Sequence, residues 1–316
     1  MRCALAGGPS PSRCDSQPCW ILPHEQAAER LEDTEDLVPT KREVVDGWSR
    51  GVSGTDVRAD RLVHVEHVWG TAVTLNVPAA GSRAEAALSA IEMCTDMFAE
   101  VDGTFSTYRP QTEVSLYRSG LDRSGHQSME FEEVLEACRE LRAVTCGAFD
   151  PWSVPGGYDP SGYVKGWAAG RASAMLLAAG CADHLVNAGG DICAHGDEVE
   201  GSGLGWPVGI VNPHRPSEII EVVTLRDSSM ATSGRYERGD HLIDPTTGLP
   251  ATGIDSATVV GPDPGVADAL ASAAYVQGPA SIEWFESLGQ QWSLHLVSGE
   301  VVRTFGPAFE GGSGPG

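Results

Sequence analysis

The chain has 316 residues, of which 41% are hydrophobic and 21% are charged, enough for one large or two small domains with a sizeable core. Its formal net charge is -23 at pH 7. Such an acidic surface repels nucleic acid and anionic membranes, so neither is an expected partner. It also repels a pyrophosphate ligand, unless a metal ion, a lysine or a helix N-terminus compensates locally.

Residues 1–60 mix Pro, Gly, Ser and charged residues without periodicity, which predicts a disordered N-terminal extension. Cys14, Cys19 and His24 match no familiar zinc spacing, and a tail that happens to carry cysteines explains them. No signal-peptide core is found, and no stretch approaches the roughly 18 apolar residues of a membrane span. The expectation is a cytoplasmic protein without a membrane span.

The ordered domain is predicted at residues 61–308, followed by a flexible tail at 309–316. Alternating and apolar runs predict strands at 61–68, 71–77, 184–187, 207–212, 219–224, 256–261, 292–297 and 300–305. Amphipathic spacing predicts helices at 83–100, 130–145, 165–179 and 265–277. This interleaving predicts a layered α+β or α/β domain without internal repeats.

Asp268 and Ser272 are four residues apart in a predicted helix, so their oxygens emerge on one face. Oxygen ligands at that spacing suit a hard cation such as Mg²⁺. An Asp favoured by the helix dipole and an incidental Ser would give the same pattern, so this pair alone leaves both interpretations open.

Four predicted loop segments carry further polar residues. Asp159 to Lys165 precedes a predicted helix, where the helix N-terminus and Lys165 could meet an anion. The paired glycines of Asn187-Ala188-Gly189-Gly190-Asp191 permit close approach of a ligand, although a tight turn also explains them. His241 is a candidate base, Asp244 could orient a neighbour, and Ala231 to Tyr236 suits a ligand-contacting loop. No Walker A or HExxH motif occurs.

The order of these motifs along the chain carries more information than each motif alone. The series comprises Trp69-Gly70-Thr71, Phe105 to Pro110, Gly147 to Pro151, Asp159 to Gly166, Asn187 to Asp191, Ala231 to Gly234, His241 to Gly248 and Ala267 to Ala273. It closely resembles the ApbE family of FAD:protein FMN transferases, over about residues 62–305. The resemblance implies a T-fold-like architecture and Mg²⁺-dependent transfer of FMN from FAD, as substrate, to a Thr or Ser of an acceptor protein, with release of AMP.

The resemblance also implies roles for individual residues. The family's FAD contacts fall on Trp69, Tyr108, Ala148, Phe149, Asp150, Asp159, Lys165 and Leu242. Its Mg²⁺ ligands fall on Gly162, through the carbonyl, and on Asp268 and Ser272. His241 matches a histidine implicated in activity and is the expected base for the acceptor hydroxyl, with Asp244 as second choice.

This sequence departs from the family pattern at two of these positions. Trp69 stands where the family usually has Met, which is expected to reshape the flavin pocket, and Ser272 stands where it usually has Thr. Two alternative functions would use the same site. One is an FAD pyrophosphatase that yields FMN and AMP, and the other is a flavin-binding protein without catalytic activity. Trp69 most favours the binder, whereas retention of Lys165, His241, Asp268 and Ser272 disfavours it.

Overall fold

A computed structural model of the chain describes residues 53–57, 60–79, 82–121, 127–235 and 242–310. Its main feature is a nine-stranded sheet in the order β1-β2-β3-β4-β5-β8-β11-β12-β13, in which every neighbouring pair is antiparallel. The strands are β1 Gly54–Val57, β2 Arg61–Val68, β3 Thr71–Pro78, β4 His184–Ala188, β5 Asp191–His195, β8 Ser228–Gly234, β11 Ser256–Gly261, β12 Ser293–Ser298 and β13 Val301–Phe305. Two small ribbons are formed by β6 Trp206–Asn212 with β7 Arg215–Leu225, and by β9 Ile243–Asp244 with β10 Leu249–Pro250.

Helices cover one face of this sheet. They are α1 Ser82–Phe105, α2 Glu113–Arg118, α3 Met129–Val144, α4 Ser161–Ala178, α5 Pro264–Gln277 and α6 Ser281–Leu288. α4 packs on β4 and β5, α5 packs on β8 and β11, and the two helices contact each other. The ribbon β6–β7 covers part of the opposite face through Trp206, Ile210 and Leu225. The predicted layered α+β class is therefore confirmed.

Strand alternation decides which side chains reach the helices. In β5, Ile192 and Ala194 pack with the ribbon β6–β7, so Asp191 points to the helix face. In β8, Met230 faces the ribbon and Ala231 packs under α5, which places Ser233 on the α5 side as well. The strands thus deliver one carboxylate and one hydroxyl to the helix layer.

Several boundaries differ from prediction. Ala231 to Gly234 is the end of strand β8 rather than a loop, because these small residues fill a central strand that is covered on both faces. Strand β1 pairs with β2 inside the segment predicted as a disordered extension, so that prediction fails for Gly54–Val57. Helices α2 and α6 and strands β5, β9 and β10 were not predicted either. Residues 1–52 and 311–316 lie outside the described ranges.

None of the helices in the described ranges combines the length and apolarity needed to cross a bilayer.

Two buried histidines make stability depend on pH. Burial lowers the pKa of His184 and of His295 to about 4, from an ordinary value of 6.5. The Nδ1–H of His184 donates to the Cys181 carbonyl at 2.8 Å, which leaves Nε2 to accept from the Ser173 hydroxyl at 2.6 Å. Both rings are therefore neutral in the folded protein at pH 7, whereas the unfolded chain protonates them below pH 6.5.

We expect the free energy of unfolding to be unaffected by these histidines above pH 6.5. It should then fall by about 1.4 kcal/mol per pH unit for each histidine as pH drops from 6.5 towards 4. Urea unfolding at pH 7.5, 6 and 5 would measure this, and His184→Gln should show a shallower slope than the wild type. Equal stability at pH 7.5 and pH 5 would contradict the prediction.

Candidate active site

A buried charge cluster joins α4, α5 and β5. The Lys165 ammonium donates to Asp268 Oδ2 at 2.9 Å and to Asp191 Oδ2. Asp191 is 2% exposed and Asp268 is 4% exposed. Burial alone would lower the pKa of Lys165, but the two carboxylates outweigh it and raise the pKa, so the side chain is an ammonium at neutral pH. Two carboxylates and one ammonium leave this cluster with a net charge of −1.

Oxygen atoms lie beside the charge cluster at the start of α4. Gly162 departs from helical geometry with φ −82° and ψ 15°, which kinks the first turn. A Cβ placed on Gly162 would lie 3.5 Å from Ser272 Oγ and 3.3 Å from the Phe149 ring. The Ser272 hydroxyl is in turn 3.1 Å from the Ser233 hydroxyl. Because Ser272 follows Asp268 by one helical turn, the three predicted metal ligands share one region.

The donor chemistry of this region fits a hard divalent cation. A carboxylate, a hydroxyl and a backbone carbonyl are the ligand types that Mg²⁺ takes, with waters and phosphate completing its shell. The net charge of −1 on the charge cluster favours a cation there. No group of three or more His, Cys, Asp or Glu residues within the described ranges is arranged to hold a metal. The fit therefore depends on one carboxylate, Asp268, supported by neutral oxygens.

The segment after α3 supplies the next predicted contacts. Ala148 is half-buried, and Phe149, 6% exposed, contacts the Gly162 position. The Asp150 carboxylate accepts from Arg142 Nε at 2.8 Å and from the Trp152 backbone N–H at 3.0 Å.

Asp159 stands just before α4. Its carboxylate accepts from the Ser161 backbone N–H at 3.1 Å. The structure thus brings Phe149, Asp159 and Gly162 to the same end of α4, two turns or less from Lys165.

Three predicted flavin contacts lie on other elements. Trp69 occupies the β2–β3 turn with φ +57°, and its ring packs edge-on against Phe98. Tyr108 follows α1 and is 95% exposed, and Leu242 precedes β9, half-buried against the core under α5. Within the described ranges, no hydrogen bond or ring contact joins these three side chains to Lys165 or Ser272.

The two predicted bases differ in what the structure says of them. His241 lies outside the described residues. Asp244 accepts from the Thr246 backbone N–H at 2.8 Å and from the Thr247 hydroxyl at 3.1 Å. Both of its carboxylate oxygens therefore brace the turn between β9 and β10.

Asp191 and Ser233 belong to the site but were absent from the predicted site residues. From the sequence, Asp191 was expected either to hydrogen-bond a ligand or to brace a glycine turn, and Ser233 was expected in a ligand-contacting loop. A strand period of two, read from the apolar Ile192 and Ala194 on one side and from Ala231 on the other, would have assigned both to the helix-facing side of the sheet.

Comparison with known proteins identifies related sequences. Residues 157–293 match the model of the ApbE family. An FAD:protein FMN transferase of Treponema pallidum (strain Nichols) is 35% identical over 208 residues, which are 57% of this chain and 57% of that protein. One of Rhodobacter capsulatus is 36% identical over 129 residues, 38% of this chain and 24% of that protein. The matches thus span at most 57% of these two relatives.

Solved structures agree in fold. The flavin transferase ApbE from Vibrio cholerae superposes with a TM-score of 0.67 at 20% identity, covering 81% of this chain and 99% of that one. The ApbE protein from Thermotoga maritima gives 0.68 at 21% identity, covering 77% and 96%. The resemblance drawn from the order of the motifs is confirmed by these comparisons, in which residues 157–293 of this chain match the ApbE family model.

Proposed function

We propose that this chain is an enzyme, an FAD:protein FMN transferase, that moves FMN from FAD to a Thr or Ser hydroxyl of an acceptor protein and releases AMP. The observation that carries the proposal is the charge cluster Lys165–Asp191–Asp268 beside Ser272 and Gly162, inside the region that matches the family model. In the reaction, the acceptor oxygen bonds to the FMN phosphorus, the bond to the AMP phosphate breaks, and the hydroxyl proton passes to a base.

Asp268, Ser272 and the Gly162 carbonyl would hold Mg²⁺, which when bound neutralises and polarises the pyrophosphate of FAD. Lys165 contributes a second positive charge. An ammonium has three donors, two of which go to Asp191 and Asp268, and the third is proposed to meet a phosphate oxygen. The N-terminus of α4 adds a partial positive charge beside Lys165. These groups supply the local compensation that a chain of net charge -23 needs.

His241 is the proposed base for the acceptor hydroxyl. The hydrogen bonds that occupy both oxygens of Asp244 support this choice, because they direct that carboxylate to its own turn and not to an acceptor hydroxyl. For the flavin we propose contacts from the positions that the resemblance indicates, which are Trp69, Tyr108, Ala148, Phe149, Asp150, Asp159, Lys165 and Leu242. A cytoplasmic location remains a prediction.

The proposal is tested by incubating the purified chain with FAD, Mg²⁺ and a Thr-containing acceptor fragment. Intact mass spectrometry should show an acceptor heavier by one FMN moiety, and AMP should appear in equal amount. EDTA, or an acceptor whose Thr is replaced by Ala, should abolish the mass gain. Free FMN and AMP beside an unmodified acceptor would instead identify a pyrophosphatase, and bound, intact FAD would identify a flavin-binding protein.

A further inference from the structure

Asp191 and Asp268 both accept hydrogen bonds from the Lys165 ammonium. Asp191 is not among the residues proposed to bind Mg²⁺ or the flavin. It lies 26 residues from Lys165 in sequence, whereas Asp268 lies 103 residues away. Both carboxylates are almost fully buried, at 2% and 4% exposure. The Lys165 ammonium thus has two anchoring carboxylates, of which only Asp268 is at a proposed metal position.

The two carboxylates lie on different secondary-structure elements. Asp268 lies on α5, at the position proposed to meet the metal. Asp191 is the first residue of β5, directly after the turn at Gly189 and Gly190. The Gly190 N–H donates to Asn187 Oδ1 at 2.8 Å, which braces that turn. The turn also packs closely on β3, because a Cβ on Gly189 would lie 2.6 Å from the Thr71 hydroxyl oxygen. Asp191 is therefore anchored in the sheet, independently of the helix that carries Asp268.

Resting on the proposed function, we infer that Asp191 is a positioning residue that retains Lys165 when a divalent cation takes the Asp268 carboxylate. A cation at Asp268 competes for the oxygen that Lys165 contacts and repels the ammonium. Without a second anion, the ammonium would have to leave or lose its proton in a site nearly closed to water. Asp191 holds it in place, with a donor directed to the substrate.

The inference predicts how Asp191→Asn changes metal binding in the absence of flavin. In this variant Asp268 becomes the only carboxylate of Lys165, and the cluster loses its net negative charge. Mg²⁺ affinity, measured by isothermal titration calorimetry, should fall by about 10–100-fold. This is the usual loss when a residue that orients the metal ligands without contacting the metal is substituted. Asp197→Asn is the matched control, because Asp197 is 3% exposed but accepts from Gly203 and Gly205 in the loop before β6. Its Mg²⁺ affinity should equal that of the wild type.

A second measurement follows Lys165 itself. The chain has only two lysines, Lys41 and Lys165, so labelling by an amine-reactive reagent can be quantified for each by peptide mass spectrometry, with Lys41 as internal reference. In the wild type, Lys165 should stay protected with and without Mg²⁺. In Asp191→Asn, it should be protected without Mg²⁺ and lose protection at saturating Mg²⁺. Asp191→Glu, which keeps the charge, should restore protection.

Three results would overturn the inference: no Mg²⁺ binding by the wild type, Mg²⁺ affinity of Asp191→Asn equal to that of the wild type, or labelling of Lys165 in the wild type once Mg²⁺ is added. The last needs no variant and so holds even if Asp191→Asn fails to fold. None of these measurements uses FAD or an acceptor. Failure of FMN transfer with the expected Mg²⁺ and labelling results would therefore count against the proposed function alone.

Discussion

Asp268→Asn is expected to lower the rate of FMN transfer by roughly 10²–10³-fold or more at saturating FAD. Asp268 is the only carboxylate among the proposed ligands, and Asn keeps its shape while removing the charge that draws a divalent cation. The fold should survive, because Lys165 keeps its ion pair with Asp191. The loss is therefore attributed to metal binding and not to a charge left without a partner.

The matched control for this change lies on the same helix. Asp263 is the N-cap of α5, and its carboxylate accepts from the Val266 backbone N–H at 2.8 Å. Asp263→Asn also removes one negative charge, but Asn is an equally good N-cap, so both stability and transfer should stay close to the wild type. Single-turnover formation of FMN-modified acceptor, measured over a Mg²⁺ titration, compares the two variants. An Asp268→Asn enzyme that transfers FMN at the wild-type rate would remove Asp268 from the metal site.

The parts of the site that could be predicted are those set by local spacing. Asp268 and Ser272 lie on one helix face because they are four residues apart. Lys165, predicted as the first residue of its helix, lies instead in the second turn of α4, because that helix starts at Ser161. The strand at residues 256–261 was also placed with its observed bounds, because a short run rich in β-branched residues ends at glycine and proline. Periodicity and turn residues suffice for features of this kind.

The pairing of Lys165 with Asp191 and Asp268 could not be predicted in this way. It depends on the order of strands in the sheet and on which face of β5 is turned to α4. Neither can be read from a short stretch of sequence. Strand β8 was missed for a related reason, since Ser, Ala and Gly, which make up most of it, have weak strand propensity and are selected there by burial between two layers. Global packing, more than local sequence, assembles the charge cluster.

Gly166 lies at the tightest point of the contact between α4 and α5 that unites these charges. At Gly166 an added Cβ would lie 2.1 Å from the Pro264 carbonyl oxygen and 2.5 Å from its carbon. These are backbone atoms at the start of α5, so no side-chain rotation can relieve the clash, and the two helices would have to move apart. Lys165 and Asp268, which lie on these helices, would be pulled apart with them.

Gly166→Ala should therefore reduce the free energy of unfolding by about 1–3 kcal/mol, the usual cost of overpacking, and should also weaken FMN transfer. Gly103→Ala is the matched control: Gly103 lies in α1, and a Cβ there would have nothing within 4 Å. Its substitution removes backbone freedom from the unfolded chain and should stabilise the protein by about 0.5–1 kcal/mol without affecting transfer. Urea unfolding of both variants measures the difference. A Gly166→Ala protein as stable as the wild type would show that α4 and α5 can separate at little cost, in which case helix packing is not what fixes the distance from Lys165 to Asp268.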